Sequence, residues 1–397
     1  MLNSIKVGSV DNSLRLDSQS TVTMGGRILK VHSKKVGGFA TPTRPISIPE
    51  LRAKTMLPFN GAIEGHLGAV QIDLDRERFD RFKKQNGTIE QTKRRATKFS
   101  NQTCCFDNFA ILDVPPIPLD DLGLLKLFLD VQSRIVMLDY ISLPLIVGND
   151  IVRFEHLVRE WITCAEERGK GLVPQLSMKD DLDSFRKRLS LLSEMAESGD
   201  IQIINLVYAN PERFTLQFIE VWKKQETKAI FNCSSVPSKG QEVAPGIHET
   251  PLVQLQKFGI DTITPIRKTP TRTTVAWLQS RERPKSINEI DNFSWAHHPA
   301  GAILDKDLWK RLPSKSIECH CSVCRDRNQQ SLVDEYAYDE RGEIVSYGMY
   351  SAARIHDVVS SAPECSLIQQ HIKKGEMADY VGDLRNYRNT KLGIRRS

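Results

Sequence analysis

Between residues 104 and 233 short apolar runs alternate with helical repeats, and this alternation constrains the fold more than any other feature. The runs are 104–112, 134–138, 172–176, 201–208 and 229–233. Phe154, Leu157, Val158, Trp161 and Ile162 fall at the i, i+3, i+4, i+7, i+8 spacing of one buried helix face. Leu182, Phe185, Leu189, Leu192 and Met195 repeat that pattern. Strand followed by helix at this spacing predicts a parallel sheet covered by helices. About six such units over ~270 residues favour a closed (β/α)8 barrel over an open sheet.

The 397 residues are 40% hydrophobic and 26% charged, which suits a folded globular chain and not a disordered one. The longest apolar stretch, 135–147, is interrupted by Asp139, so no membrane span is expected. The N-terminus has no charged start followed by an apolar block, so no secretory signal is expected and the reading is cytoplasmic. Lys plus Arg exceed Asp plus Glu by 55 − 49 = 6, a mild excess that permits a polyanionic partner. Basic residues gather at Lys83, Lys84, Lys93, Arg94, Arg95 and Lys98, and again in 385–397, where Tyr387 is interleaved. Residues 265–288, rich in Thr, Arg, Pro and Ser, read as a long exposed loop.

The cysteines are informative by position. Five are scattered, while Cys319, Cys321 and Cys324 sit within six residues. A tight cluster in a large chain reads as a metal site in a reducing compartment, not as a disulfide framework. Zn²⁺ takes four N or S ligands in a tetrahedron. Cys-x-Cys-x-x-Cys supplies three from one turn, and His356, on a helix-like stretch downstream, is placed to supply the fourth. Cys365, His371 and His320 are the other candidates, His320 being squeezed between two ligands. Three thiolates and one imidazole close the site, so the ion is expected to be structural.

Cys-x-Cys-x-x-Cys followed about 30 residues later by a helical His resembles the zinc motif of the tRNA-guanine transglycosylase superfamily. Other landmarks follow in the family's order. Gly26-Arg27-Ile28, Thr41-Pro42 and Pro45-Ile46 resemble its opening hairpin and first barrel strand. The segment 135–139 with Pro144 is similar to the strand whose Asp recognises the heterocycle. Leu172-Val-Pro-Gln175 is similar to a segment ending in a substrate-binding Gln. Asp291-Asn-Phe-Ser-Trp-Ala296 resembles the block carrying the nucleophilic Asp.

The resemblance spans about residues 25–375 and implies an irregular TIM (β/α)8 barrel with a zinc-binding insertion near the C-terminus. On this reading 1–24 is an N-terminal lead, 25–312 the catalytic barrel, 313–384 the zinc subdomain with the final barrel helix, and 385–397 a basic tail. The family's Asp-Ser-Gly-Gly block is not present as such. Its nearest counterpart is Asp107 in Cys105-Phe-Asp107-Asn-Phe109, with Asp113 as the alternative. The Gly-Gly pair and the archaeal RNA-binding domain are also missing. These departures are more like the DNA-modifying branch, in phages and bacteria, that inserts 7-deazaguanine derivatives.

The implied activity is base exchange: a pentosyltransferase replaces guanine in DNA through a covalent Asp–sugar intermediate. One carboxylate attacks C1′, and a second passes a proton to the leaving guanine. The expected nucleophile is Asp291, with Asp261 as its rival, and the expected general acid/base is Asp107. Asp139 and Gln175 are expected to hydrogen-bond the heterocycle, and Phe109 to stack on it. The partners implied are nucleic acid, DNA in preference to tRNA, and a free 7-deazaguanine base; a homodimer is left open. A tRNA substrate, or a non-catalytic zinc-stabilised subunit that binds nucleic acid, are the alternatives.

Overall fold

The computed structural model describes residues 15–24, 27–36, 39–47, 67–100, 107–265, 294–297, 300–311, 324, 336–338 and 344–391. Its centre is one eight-stranded sheet with every neighbouring pair parallel. In chain order the strands are Ile46–Ser47, Leu67–Asp73, Asp107–Asp113, Tyr140–Leu143, Gly171–Ser177, Ile203–Val207, Ile230–Val236 and Thr262–Pro265. A parallel bridge from Thr43 to Thr262, with the Thr43 amide donating to the Asp261 carbonyl at 3.2 Å, joins the eighth strand to the first. The sheet is therefore a closed barrel, irregular because its first strand is short. This is the α/β TIM-barrel architecture that the alternation predicts.

The amphipathic helices form where the repeats place them. Helix Ile151–Glu166 buries Phe154, Leu157, Val158, Trp161 and Ile162, and helix Leu182–Ser198 buries Phe185, Leu189, Leu192 and Met195. Each starts on an Asp whose carboxylate accepts from a first-turn amide: Asp150 from Arg153 at 3.0 Å and Asp181 from Ser184 at 3.0 Å. Asp75 and Asp121 do the same for helices Arg76–Lys84 and Leu122–Ser133. Several acidic residues near the strand ends are thus helix caps. The basic run of 83–98 lies on helices Arg76–Lys84 and Asn86–Ser100.

Two layers of apolar packing hold the barrel. Outward residues such as Val70, Leu112, Ile141, Leu176 and Phe231 pack against the helices. Inward residues Leu67, Ala69, Phe109, Ile111, Val173, Ile203 and Ile230 form a separate cluster inside. Burying one such side chain contributes roughly 1.5–3 kcal/mol.

The fourth strand is Tyr140–Leu143, not 134–138 as the apolar run suggests. Helix Leu122–Ser133 ends just before that run, and a turn follows in which Val136 and Met137 are exposed. The real strand contains Ser142, whose amide donates to Gln132 Oε1 at 2.6 Å.

Outside the barrel, strands Glu242–Ala244, Ile247–Glu249, Ala302–Asp305 and Ser294–His297 make an antiparallel sheet. Within the expected lead, strand Arg15–Met24 pairs with Arg27–Val36. Helices Gly348–Lys374 and Met377–Lys391 follow. The expected tail from residue 385 is helical to Lys391, and Arg388 is buried there, donating to the Ala300 and Gly301 carbonyls at 2.6 and 2.8 Å. No helix among the described residues is long and apolar enough to cross a membrane.

Candidate active site

Chemistry in a TIM barrel sits at the C-terminal ends of the strands, where the loops to the helices gather. Side chains alternate across a strand, so the inward apolar cluster fixes which later residues face the same interior. These are Gln71, Asp73, Asp113, Gln175, Asn205, Asn232 and Ser234. Asp73 and Asp113 end the second and third strands and are paired in register. Neighbouring strands run about 4.8 Å apart, so two carboxylates stand side by side at the mouth. Asp73 is exposed and Asp113 half-buried, with Gln71 Nε2 donating to Asp113 Oδ2 at 3.1 Å.

Below them the interior turns polar. Gln175, Asn205, Asn232, Ser234, Thr262 and Thr264 are all buried and joined by hydrogen bonds. Amides shut away from water cost free energy unless paired, and each finds partners within this belt. Ser235, at the end of the seventh strand, has φ 57°, a left-handed conformation unusual for a serine, where the strand register shifts.

Loops around the mouth are tied by Arg188. Its guanidinium lies over the Phe154 ring at 4.7 Å and donates to the carbonyls of Ile146, at 2.7 Å, and Gly148. Burial lowers the pKa of Arg188, opposed by Asp180 at 3.7 Å. Burial also raises Asp180, against the pull of Arg188. Tyr208, just past the sixth strand, has its phenol pushed up by burial, with Cys233 and Glu212 adding to the shift.

The expected site residues divide between the two ends of the barrel. Gln175 is inside, below the mouth. Asp107 is the first residue of its strand, in register with Leu67, at the end opposite the mouth. Asp139 precedes the fourth strand at that same lower rim, where Oδ2 accepts from the Asn108 amide at 2.8 Å. Burial raises the pKa of Asp139, while the Asn108 bond and Lys170 lower it. Phe109 is fully buried in the lower apolar layer, so it fills the core and does not face a base. The alternative Asp113 is the one at the mouth. Asp73 was missed, although the endings Gln-Ile-Asp73 and Ile-Leu-Asp113 share an apolar run closed by Asp.

The rival nucleophile Asp261 is also at the lower rim. It is fully buried, bonded to Lys34 Nζ at 2.8 Å and to the Phe231 amide at 2.8 Å. Lys34 reaches in from the N-terminal hairpin, donates to the Ala229 carbonyl and lies 4.8 Å from the Phe231 ring centre. Desolvation raises the pKa of Asp261, and Lys34 is the largest opposing influence. This ion pair plugs the base of the barrel. Asp291 lies outside the described residues.

Cys324 and His356, 32 residues apart, meet with Sγ 3.3 Å from Nδ1, both side chains buried. The other ring nitrogen is 2.7 Å from the Ala296 carbonyl, an acceptor, so Nε2 carries the proton and Nδ1 turns its lone pair toward the sulfur. Trp295 stacks on the imidazole with centroids 4.3 Å apart. Two ligands of one tetrahedral zinc ion stand about 3.5 Å apart, so this pair fits such an ion. Cys319, Cys321 and His320 lie outside the described residues. Of the other candidate ligands, Cys365 is packed in the core, where burial pushes its thiol up, and His371 is 3.7 Å from Glu376.

No family model matches the sequence, and no curated protein matches it. Among solved structures, the tryptophan synthase complex from Pyrococcus furiosus is similar with a TM-score of 0.33 and 12% identity, over 55% of this chain and 79% of that one. The tryptophan synthase A-subunit of that organism gives a TM-score of 0.32 and 13% identity, over 55% and 80%. Likeness this distant says nothing about chemistry. The fold and the mouth define a (β/α)8-barrel protein with paired carboxylates at its C-terminal rim.

Proposed function

We propose that this barrel is a guanine transglycosylase, replacing guanine in DNA with a 7-deazaguanine through a covalent aspartyl–sugar intermediate. The observation that carries the reading is the meeting of Cys324 and His356. Two residues from either end of the zinc-like motif converge with the histidine's proton held on a carbonyl. Cys319, Cys321, Cys324 and His356 would hold Zn²⁺ in a closed structural site, fixing the Gly348–Lys374 helix against the sheet that carries Trp295.

The mouth supplies the acid–base chemistry. Asp113 takes the role first given to Asp107, because it stands at the C-terminal rim and Asp107 does not. Its carboxyl group passes a proton to the leaving guanine and takes one from the incoming base. Asp291 is retained as the nucleophile that holds C1′ between the two steps. Gln175 reads the heterocycle from below. A guanine stacked in a duplex cannot reach this depth, so the nucleotide enters flipped or from a single strand.

Labelled guanine incubated with the purified protein, and with duplex DNA and bulk tRNA in parallel, tests the proposal. Label entering DNA is the expected result. Label entering tRNA alone moves the substrate to RNA, and label entering neither removes the activity.

A further inference from the structure

A small ribbon stands on the upper rim beside Asp113. Residues Ile117–Pro118 and Ile146–Val147 pair in parallel there, Ile117 with Ile146 and Pro118 with Val147. The first segment begins just past Asp113, and the second just past Leu143, where the fourth strand ends. Side chains alternate across each strand. Ile117 and Ile146 are buried, which leaves Pro118 and Val147 together on the outer face. The two segments lead into helices Leu122–Ser133 and Ile151–Glu166, whose first turns add Leu122 and Val152. Val147, Leu122 and Val152 are 46%, 48% and 60% exposed, so solvent reaches every one of them.

The ribbon is fixed from within. Arg188 donates to the carbonyls of Ile146 and Gly148, on either side of Val147. The Val147 carbonyl itself accepts from the Leu119 amide at 3.2 Å. Gly148, at φ 129°, turns the chain away directly after the valine. Three successive carbonyls are thus engaged, and Val147 cannot turn its side chain inward without breaking those bonds. Apolar side chains clustered in water at a fixed position mark a contact surface.

What covers this face follows from its place. It borders the mouth that a guanine must enter after leaving its stack, and turning a base out leaves a step of the duplex to be held open. Apolar wedges, Pro and Leu among them, hold base steps apart in DNA-binding proteins. Two exposed cations flank the face: Lys126, one turn after Leu122 on the same helix, and Arg153, next to Val152. Neither side chain makes an ion pair among the described residues, so both are available to phosphates. The nearby Asp121 and Asp150 are engaged as helix caps, accepting from the Leu124 and Arg153 amides at 3.2 and 3.0 Å. We infer that Pro118, Val147, Leu122 and Val152 form a wedge that enters duplex DNA beside the target guanine and keeps the step open while the base is in the mouth. This rests on the transglycosylase reading and deepens it, by naming the bases that flank the target as the partner of this face.

The test compares labelled-guanine exchange into a duplex and into the same target strand left single, using the full chain. Val147→Asp, which puts a charge where stacked bases would lie, should slow exchange into the duplex about tenfold or more and leave the single strand within twofold. Val147→Leu should keep the wild-type ratio of the two rates. Equal loss on both substrates, or no loss on either, overturns the wedge alone, as does a wild type that exchanges into the single strand only. A Val147→Asp protein that changes its sedimentation from dimer to monomer at an unchanged ratio gives the face to a second copy of the chain, and also overturns it. A wild type that exchanges into neither form of DNA overturns the wedge and the proposed function together.

Discussion

The two rims of this barrel are built from similar residue types and put them to opposite uses. At the lower rim Asp261 is sealed from water, bonded to Lys34 and to the Phe231 amide. At the upper rim Asp73 and Asp113 stand beside one another, with a neutral amide, Gln71, bonded to Asp113. A buried carboxylate held by a lysine closes a structure, and accessible carboxylates beside neutral amides leave it able to exchange protons. The difference teaches that acidic residues here are sorted by which end of a strand they occupy, more than by local sequence.

Breaking the lower plug should have the largest effect on stability. Lys34→Met leaves Asp261 buried without its cation, and removing one partner of a buried pair costs about 3–5 kcal/mol. Urea unfolding measures it; a loss under 1 kcal/mol would mean that the plug is incidental. Cutting the belt comes next. Asn205→Leu strands the Oε1 of Gln175 and the Nδ2 of Asn232, each worth about 1–3 kcal/mol when left buried and unpaired. A denaturation midpoint equal to wild type would deny that the belt is closed.

A smaller effect is expected at Cys324 and His356. Chelator should lower the thermal midpoint of wild type, and His356→Ala should already be lowered and respond no further. A wild-type midpoint indifferent to chelator would remove the metal.

The smallest effect concerns pH. Burial raises Asp139 in the fold above its ordinary carboxylate value. The native state then binds the proton more tightly than the unfolded chain, so stability declines as pH climbs from the unfolded value through the folded one. Asp139→Asn should flatten that part of a stability–pH curve. An unaltered slope would place the titration elsewhere.

The barrel was largely legible because helix faces at 154–162 and 182–195 repeat cleanly, and buried faces are what a sequence encodes best. The fourth strand differs from the apolar run 134–138 because continuous apolarity is an incomplete mark of a strand, and the true strand carries the buried Ser142, whose backbone bonds to Gln132. For the same reason Asn205, Asn232 and Ser234 escaped notice: isolated polar residues within apolar runs look like interruptions. Lys34 does not stand out because its strand carries other basic residues, Lys30 and Lys35 among them, and only tertiary contact with Asp261 gives it meaning. The meeting of Cys324 with His356 was legible because the spacing of the motif is a local signal.

The most direct test is the rate of labelled-guanine exchange into duplex DNA by Asp113→Asn and Asp139→Asn, measured side by side against wild type. Chemistry at the upper rim predicts a loss of at least about a hundredfold for Asp113→Asn, the usual scale of a lost general acid/base, and a rate within about twofold for Asp139→Asn. Full exchange by Asp113→Asn together with its loss in Asp139→Asn would put the chemistry at the other end of the barrel.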